Sequence, residues 1–382
     1  MTALQQTTRL VFAGGGTGGH LFPAIAIADR VKEMLVGKTE VDISFVGTTR
    51  GIEFRMRDQL GYPLHLVNIR GIVRSLTLKN LLVPFLTIGS LIRSYRLLKA
   101  LSPHVVVGTG GYVSWPVLRA ATFMGIPTVL QEQNSFPGIV TRQRASAAER
   151  VYLGFAQARS FLPEGTQTML TGNPVRRTIA DGDRATACRR YNLAQNAKTI
   201  LILGGSQGAR AINTAVTKSI QSGGVPDGYQ ILWQTGKRDY KEVVATFGPK
   251  TERVSLFPFA KNMAQVYAAA DLAVARAGAL TLAELEACSV PAILIPYPFA
   301  AGDHQRKNAE ASVANGAALL IDEKNLAEKD ILAEAVALGN GPAVAMTRTM
   351  RQAQADRKPA VDMIAEDIIT LIAQRQEAAV GG

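Results

Sequence analysis

The chain has 382 residues, 47% of them apolar, and a formal net charge of +12. That is length for about two domains with real cores, and it is not the composition of a disordered chain. Two cysteines, Cys188 and Cys288, exclude a disulfide scaffold and a multi-cysteine zinc site, and fit a reducing cytosol.

The N-terminal MTALQQTTR has no hydrophobic core of a secretory signal. Arg9–Ala13 predicts a strand and His20–Leu35 a helix. Val41–Val46, Val105–Gly108 and Thr128–Gln131 predict further strands. The longest apolar run, Leu81–Ile92, contains Pro84 and falls short of the roughly 18 residues that a spanning helix needs. The pattern restarts at Thr199–Leu203, followed by a helix over Gly208–Ser219 and a strand at Gln230–Gln234. Val254–Phe257, Asp271–Ala275, Pro291–Pro296 and Ala318–Asp322 continue it. Short apolar strands alternating with helices predict parallel βαβ units buried on both faces. The fold class is therefore α/β, with two doubly wound parallel-sheet domains joined near Thr171-Gly172-Asn173-Pro174. The division predicted is 1–172 and 173–358. Val361, Ile364, Ile368, Leu371 and Ile372 have helical spacing, so a helix over 360–376 should pack back on the first domain and fray beyond Gln376.

Charge is uneven. Residues 1–170 carry 18 Lys and Arg against 9 Asp and Glu, and no carboxylate lies between Asp58 and Glu132. Such a field attracts polyanions: nucleic acid, anionic lipid headgroups or diphosphates. Nucleic acid fits poorly, because the basic segment is rich in Leu, Val and Ile and has no aromatic-basic ladder.

Three glycine clusters each follow a predicted strand: Gly14–Gly19, Gly108–Gly111 and Gly204–Gly208. Glycine permits a tight strand-to-helix turn and brings backbone N–H groups close to a ligand, for which phosphate is favoured. Two such loops at matching positions in similar domains suggest one ligand clasped between them. The first cluster satisfies G-x-G-x-x-G, but the strand that should supply a ribose-binding carboxylate ends Phe45-Val46-Gly47-Thr48-Thr49, which disfavours a dinucleotide. No P-loop motif is present.

GGGTGGH at Gly14–His20, GTGGYVSWP at Gly108–Pro116, QEQN at Gln131–Asn134, TGNPVR at Thr171–Arg176, GGSQGAR at Gly204–Arg210, AGALTLAE at Ala277–Glu284 and DHQRKNA at Asp303–Ala309 occur in this order. In these motifs the chain resembles the MurG family of N-acetylglucosaminyltransferases. The resemblance implies a GT-B fold, with two Rossmann-like domains and an interdomain cleft. It implies inverting transfer of N-acetylglucosamine from UDP-GlcNAc to the 4-hydroxyl of MurNAc in lipid I (undecaprenyl-pyrophosphoryl-MurNAc-pentapeptide), giving lipid II for peptidoglycan synthesis. The same resemblance implies a peripheral enzyme on the cytoplasmic face of the inner membrane, with cell-wall and division proteins as partners.

It also assigns residues. His20 is the candidate base, at a helix start whose positive end favours the neutral imidazole; Glu132 is the second candidate. For the donor it assigns Thr17, Gly18, Gly19 and Asn134 in the first domain. In the second domain it assigns Arg176, Ser206, Ala260 (through its backbone), the run Ala279, Leu280, Thr281, Leu282, Ala283 and Glu284, and Gln305. Glu284 would accept from the ribose hydroxyls. The acceptor falls to Gly15, Gly16, Gly110, Gly111 and Tyr112. The role of Arg306 stays open. Asp181-Gly182-Asp183 spells D-x-D, a metal-diphosphate motif of another glycosyltransferase fold, but its polar setting before a helix predicts a cap, and no cofactor or tightly bound metal is expected. Arg74, Leu76, Lys79, Leu82 and Phe85 form an apolar and basic patch suited to an anionic bilayer. Two other functions share parts of this pattern: a UDP-GlcNAc epimerase of the same fold, needing cleft carboxylates, and a non-catalytic anionic-lipid-binding protein, needing no donor motif.

Overall fold

The computed structural model describes residues 7–69, 83–205, 208–248 and 252–380, without the side chains of 83–85, 379 and 380. The chain forms two compact units, residues 1–174 with 359–382, and residues 175–358.

The first unit is built on a seven-stranded sheet in the order β3-β2-β1-β4-β5-β6-β7. Its strands are β1 (Thr8–Gly14), β2 (Val41–Gly47), β3 (Leu64–Leu66), β4 (Val105–Gly110), β5 (Thr128–Glu132), β6 (Arg150–Leu153) and β7 (Thr168–Leu170). All pair in parallel, with Leu10 opposite Ile43 on one side and Val105 on the other. Alternation along each strand builds two cores. Leu10, Phe12, Ile43, Phe45, Val105 and Val107 face the helix Gly18–Leu35. Val11, Ala13, Val46, Val106 and Leu130 face the helices Val83–Leu101 and Ser114–Phe123. Strands buried on both faces read as unbroken apolar runs, which is why they are legible. The strands that periodicity misses are β3, β6 and β7. Two of them are three-residue edge strands, each with two half-buried residues and one exposed, too short to show a period.

The second unit repeats the plan with six strands in the order β10-β9-β8-β11-β12-β13. They are β8 (Lys198–Leu203), β9 (Tyr229–Gln234), β10 (Val254–Phe257), β11 (Leu272–Ala275), β12 (Ala292–Leu294) and β13 (Ala318–Leu320). Ile200, Ile231, Trp233, Leu272, Val274 and Ile293 form its core with Ile212, Val216, Ile331 and Leu338. In each sheet the order reverses beside the first strand, between β1 and β4 and between β8 and β11. The crevice outside the carboxyl ends at such a switch point is where α/β sheets bind ligands. Gly14–Gly19 and Gly108–Gly111 stand there in the first unit, and Gly204 and Gly205 follow β8 in the second.

The C-terminal helix spans Ala360–Val380, past the fraying point expected at Gln376. It belongs to the first unit and closes its core with Ile364, Ala365, Ile368 and Ile372. Asp362 accepts from Arg30 Nε at 2.6 Å, and Asp367 pairs with Arg150 and accepts from the Tyr152 hydroxyl at 2.9 Å. Each buried isoleucine contributes about 1.5–3 kcal/mol relative to exposure. Ile368→Ala should therefore lower stability by about 2–5 kcal/mol through lost transfer energy and a cavity. The urea midpoint measures this, and an unchanged midpoint would place the helix outside the core.

Candidate active site

In the first unit the loop after β1 runs Gly14–Thr17 into the helix Gly18–Leu35. Thr17 caps that helix with its carbonyl, which accepts from the His20 and Leu21 N–H groups. Its hydroxyl makes no capping bond. His20 is in the first turn and packs against the end of β4. Thr109 Oγ1 donates to the His20 carbonyl at 2.8 Å. A Cβ on Gly110 would lie 2.7 Å from His20 Nδ1, and one on Gly111 2.5 Å from the Gly15 carbonyl oxygen. With φ of +103° and +81° as well, these two positions demand glycine.

The His20 tautomer follows from its neighbours. Gln133 Nε2 donates to the carbonyls of Thr109 (2.8 Å) and Gln131 (3.0 Å). Carbonyls only accept, so the amide oxygen must be the atom 3.0 Å from His20 Nδ1. That oxygen accepts as well, so Nδ1 carries the proton and the lone pair of the neutral ring sits on Nε2. Asn173 buttresses the arrangement, accepting from Gln131 Nε2 and donating to the Gln133 carbonyl. Gln133 and Asn173 lie within the QEQN and TGNPVR motifs, yet their supporting roles are visible only once the residues are folded together.

Glu132, the second candidate base, is buried. Its Oε1 accepts from Asn134 N–H and Nδ2, and its Oε2 from Gly138 N–H at 2.9 Å, at the start of the helix Ile139–Arg144. Both oxygens thus hold the loop after β5, Asn134 included. Tyr112 is 57% exposed beside Gly110 and Gly111.

In the second unit the helix Ala279–Ala287 begins at Gly278 just after β11. Ala279 and Leu282 are buried, and the Leu282 N–H is bonded to the Gly278 carbonyl. Ala279, Leu280 and Thr281 carry the first-turn N–H groups that have no partner within the helix. Leu282 serves by packing, and Ala283 lies in the helix body just before Glu284. Glu284 Oε2 accepts from the Tyr267 hydroxyl at 2.8 Å. Burial pushes the Glu284 carboxyl up to about 7, against the opposing pull of the Tyr267 bond and the charge of exposed Arg176. The Tyr267 phenol is itself raised by burial and by the adjoining carboxylate. The Ala260 N–H donates to Gln234 Oε1 at 2.8 Å, so a base contact at this residue falls to its carbonyl. Gln305 Oε1 accepts from Tyr297 N–H at 2.9 Å, which fixes the amide with its oxygen toward that loop. Sequence reasoning misses Arg276, which is buried and donates to the Ile295 and Pro296 carbonyls, pairs with Glu323 and underlies the Tyr297 ring. It holds the loop whose Tyr297 N–H bonds Gln305. Arg306 pairs with Asp303, Glu310 and Asp322 and is a structural hub of its helix.

Asp183 caps the helix Arg184–Tyr191 by accepting from Thr186 N–H at 2.7 Å, which explains the D-x-D. Among the described residues no three His, Cys, Asp or Glu side chains lie together as a metal site. Ser206, Arg74, Leu76, Lys79 and Leu82 lie outside the described residues, as does the side chain of Phe85. Of the basic and apolar face, the helix Val83–Leu101 is described. It buries Ser90, Ser94 and Leu98 and exposes Ile88, Ile92, Tyr95, Arg93, Arg96 and Lys99. Phe123, 76% exposed, packs edge-on to Tyr95, and Arg119 is exposed on the same helix as Phe123. Among the described residues no helix is long and apolar enough to cross a membrane.

Residues 10–153 match the glycosyltransferase family 28 N-terminal domain, and residues 199–365 match the glycosyltransferase family 28 C-terminal domain. The chain is 43% identical over 324 residues to the UDP-N-acetylglucosamine–N-acetylmuramyl-(pentapeptide) pyrophosphoryl-undecaprenol N-acetylglucosamine transferase of Chlorobaculum parvum, covering 84% of this chain and 87% of the relative. It is 38% identical to the protein of the same name from Salinibacter ruber, over 95% and 96% of the two chains. The chain belongs to the MurG family. The crystal structure of Acinetobacter baumannii MurG superposes with a TM-score of 0.72 at 27% identity, covering 95% of this chain and 99% of that one. A UDP-N-acetylglucosamine 2-epimerase, at 14% identity and a TM-score of 0.62, shares the fold alone. The fold is GT-B, and the chain is a glycosyltransferase of this family.

Glu284 yields a pH-dependent prediction. Its proton is held more tightly in the folded chain than in the unfolded one, so it lowers stability as pH rises from the ordinary carboxyl range through about 7. Glu284→Gln, which can still accept from Tyr267, should melt like the wild type at pH 4.5 and above it at pH 8. Its donor KM should rise about tenfold or more, since bonds to a charged acceptor are worth about 1.5–3 kcal/mol. Wild-type donor affinity should increase with pH through that ionisation and the variant's should not. An unchanged donor KM would reject the ribose assignment.

Proposed function

We propose that the chain transfers N-acetylglucosamine from UDP-GlcNAc to the 4-hydroxyl of the MurNAc residue of lipid I, forming lipid II. The observation that carries this reading is the His20 tautomer fixed by Gln133, on a chain about 40% identical to the named transferases. The acceptor 4-hydroxyl attacks the anomeric carbon of the donor sugar. His20 Nε2 takes the hydroxyl proton as the new C–O bond forms. The bond from the anomeric carbon to the diphosphate breaks on the opposite face, so the configuration inverts and UDP leaves with the electron pair.

Each substrate has its own set of residues. In the second unit, Glu284 receives the ribose hydroxyls, the Ala260 carbonyl the base, and Gln305 the sugar. Arg176, the first-turn N–H groups of Ala279, Leu280 and Thr281, and Ser206 meet the diphosphate charge that grows as UDP departs. In the first unit, Gly15, Gly16, Gly110, Gly111 and Tyr112 receive the acceptor, while Thr17, Gly18, Gly19 and Asn134 serve the transferred sugar. An epimerase is not favoured, because those enzymes match only in fold. A non-catalytic lipid-binding protein would have no use for Glu284 and Gln305.

The acceptor's lipid implies a membrane surface. Ile88, Ile92, Tyr95 and Phe123 with Arg93, Arg96, Lys99 and Arg119 are an exposed apolar and cationic set suited to anionic headgroups; in sequence, Arg74, Leu76, Lys79, Leu82 and Phe85 extend the same composition. This supports a peripheral enzyme on the cytoplasmic face of the inner membrane, where cell-wall and division proteins would be its neighbours.

Transfer of radiolabel from UDP-GlcNAc to a lipid I analogue tests the activity. His20→Ala should lower kcat by about 10²–10⁴-fold with donor KM unchanged, and should lose the acid limb of the pH-rate profile. A folded variant that keeps that limb would move the base to another residue. Binding to vesicles containing anionic lipid should weaken with salt, and Arg93→Glu with Arg96→Glu should reduce it roughly tenfold or more, at about 1 kcal/mol per charge. Transfer to a soluble acceptor should persist. Equal binding to neutral and anionic vesicles would contradict the membrane reading.

A further inference from the structure

Glu53 is a carboxylate that no motif singles out. It sits on the short helix Ile52–Arg55 that follows β2, and is 1% exposed. Its Oε2 accepts from Gly16 N–H at 2.7 Å. Its Oε1 accepts from Thr48 N–H at 2.9 Å and from the Thr48 hydroxyl at 3.2 Å. Among the described residues these partners are all neutral, so the carboxylate is held by donors of the two loops rather than by an ion pair. A buried charge is retained only where such donors are fixed around it.

The slot around it is made of glycines. A Cβ on Gly15 would fall 2.5 Å from Glu53 Cδ, one on Gly47 2.4 Å from Cγ, and one on Gly51 2.0 Å from Oε1. Gly15 in turn touches Gly111, and Gly110 touches the His20 ring. A continuous line of close contacts therefore runs from Glu53 through the loop after β1 to the end of β4 and the imidazole. Glycines of both segments are explained by this packing as well as by any ligand.

We propose that Glu53 is a positioning residue for the transfer: its two acceptor oxygens fix the Gly15–Gly16 segment, and through it the His20 surroundings, in the shape the acceptor uses. This rests on the reading of that loop as the acceptor site. Only a carboxylate serves, because an amide would set an NH2 group against the N–H of Gly16 or of Thr48.

The test is Glu53→Gln in the full-length protein, with acceptor kinetics at saturating UDP-GlcNAc, UDP affinity by calorimetry, and thermal melting. A folded variant should show kcat/KM for a lipid I analogue reduced about 10²-fold, the scale of a misplaced reacting group, with UDP affinity unchanged. Unchanged acceptor kinetics, or a parallel loss of UDP affinity, would overturn the proposal. If Glu53→Gln does not fold, Thr48→Val removes one of the three bonds. It should then lower acceptor kcat/KM several-fold, about the worth of one bond to a charged group, without touching UDP affinity, and no change would overturn the proposal. Tyr112→Ala separates the two levels. If it raises acceptor KM while Glu53→Gln does not, the Glu53 role fails alone; if neither changes it, the acceptor reading of the loop fails as well.

Discussion

A parallel strand that turns directly into a helix leaves backbone N–H groups and a crowded loop at the carboxyl edge of the sheet, and both units of this chain are organised by how that edge is packed. In the first unit the packing is close enough that a single Cβ is excluded at several places. The Gly111 backbone rests on the Gly15 carbonyl, Gly110 on His20, and Gly15 on Glu53. The histidine proposed as the base is therefore held by backbone contact, with one side-chain amide deciding its tautomer. In the second unit the corresponding edge presents a helix start and a half-buried carboxyl whose desolvation is the cost of its position.

The two edges differ in electrostatics as they differ in proposed task. The loop after β1 has a buried carboxylate against the Gly16 N–H, a setting for a sugar hydroxyl and a proton transfer. The end of β11 offers a helix start with Arg176 acting on the Glu284 carboxyl, in the proposed reading the setting for diphosphate and ribose. In the proposed reading, two copies of one topology take donor and acceptor respectively without any change of fold.

Much of the architecture is legible because buried parallel strands are unbroken apolar runs and because glycine clusters mark the turns after them. The edge strands Leu64–Leu66 and Thr168–Leu170 are not legible, since three residues, none of them buried, carry no period. His20, Glu284 and Gln305 are accessible through their motifs. Glu53, Gln133, Asn173 and Arg276 are found only in the folded chain, because each acts on segments 37 or more residues away in sequence or on carbonyls that carry no sequence signature. The D-x-D at Asp181–Asp183 shows the converse: a motif with a chemical meaning elsewhere is here a helix cap.

If the edge of the second unit takes the nucleotide of the donor and the edge of the first unit takes the acceptor, the strongest protection by each substrate should fall on a different edge. Hydrogen–deuterium exchange of the full-length protein tests this directly. UDP-GlcNAc should slow exchange most strongly across residues 199–205 and 277–284, and a soluble lipid I analogue should slow it across residues 14–20 and 108–112. Protection by UDP-GlcNAc confined to residues 14–20, with the second unit unaffected, would contradict the division of the two substrates.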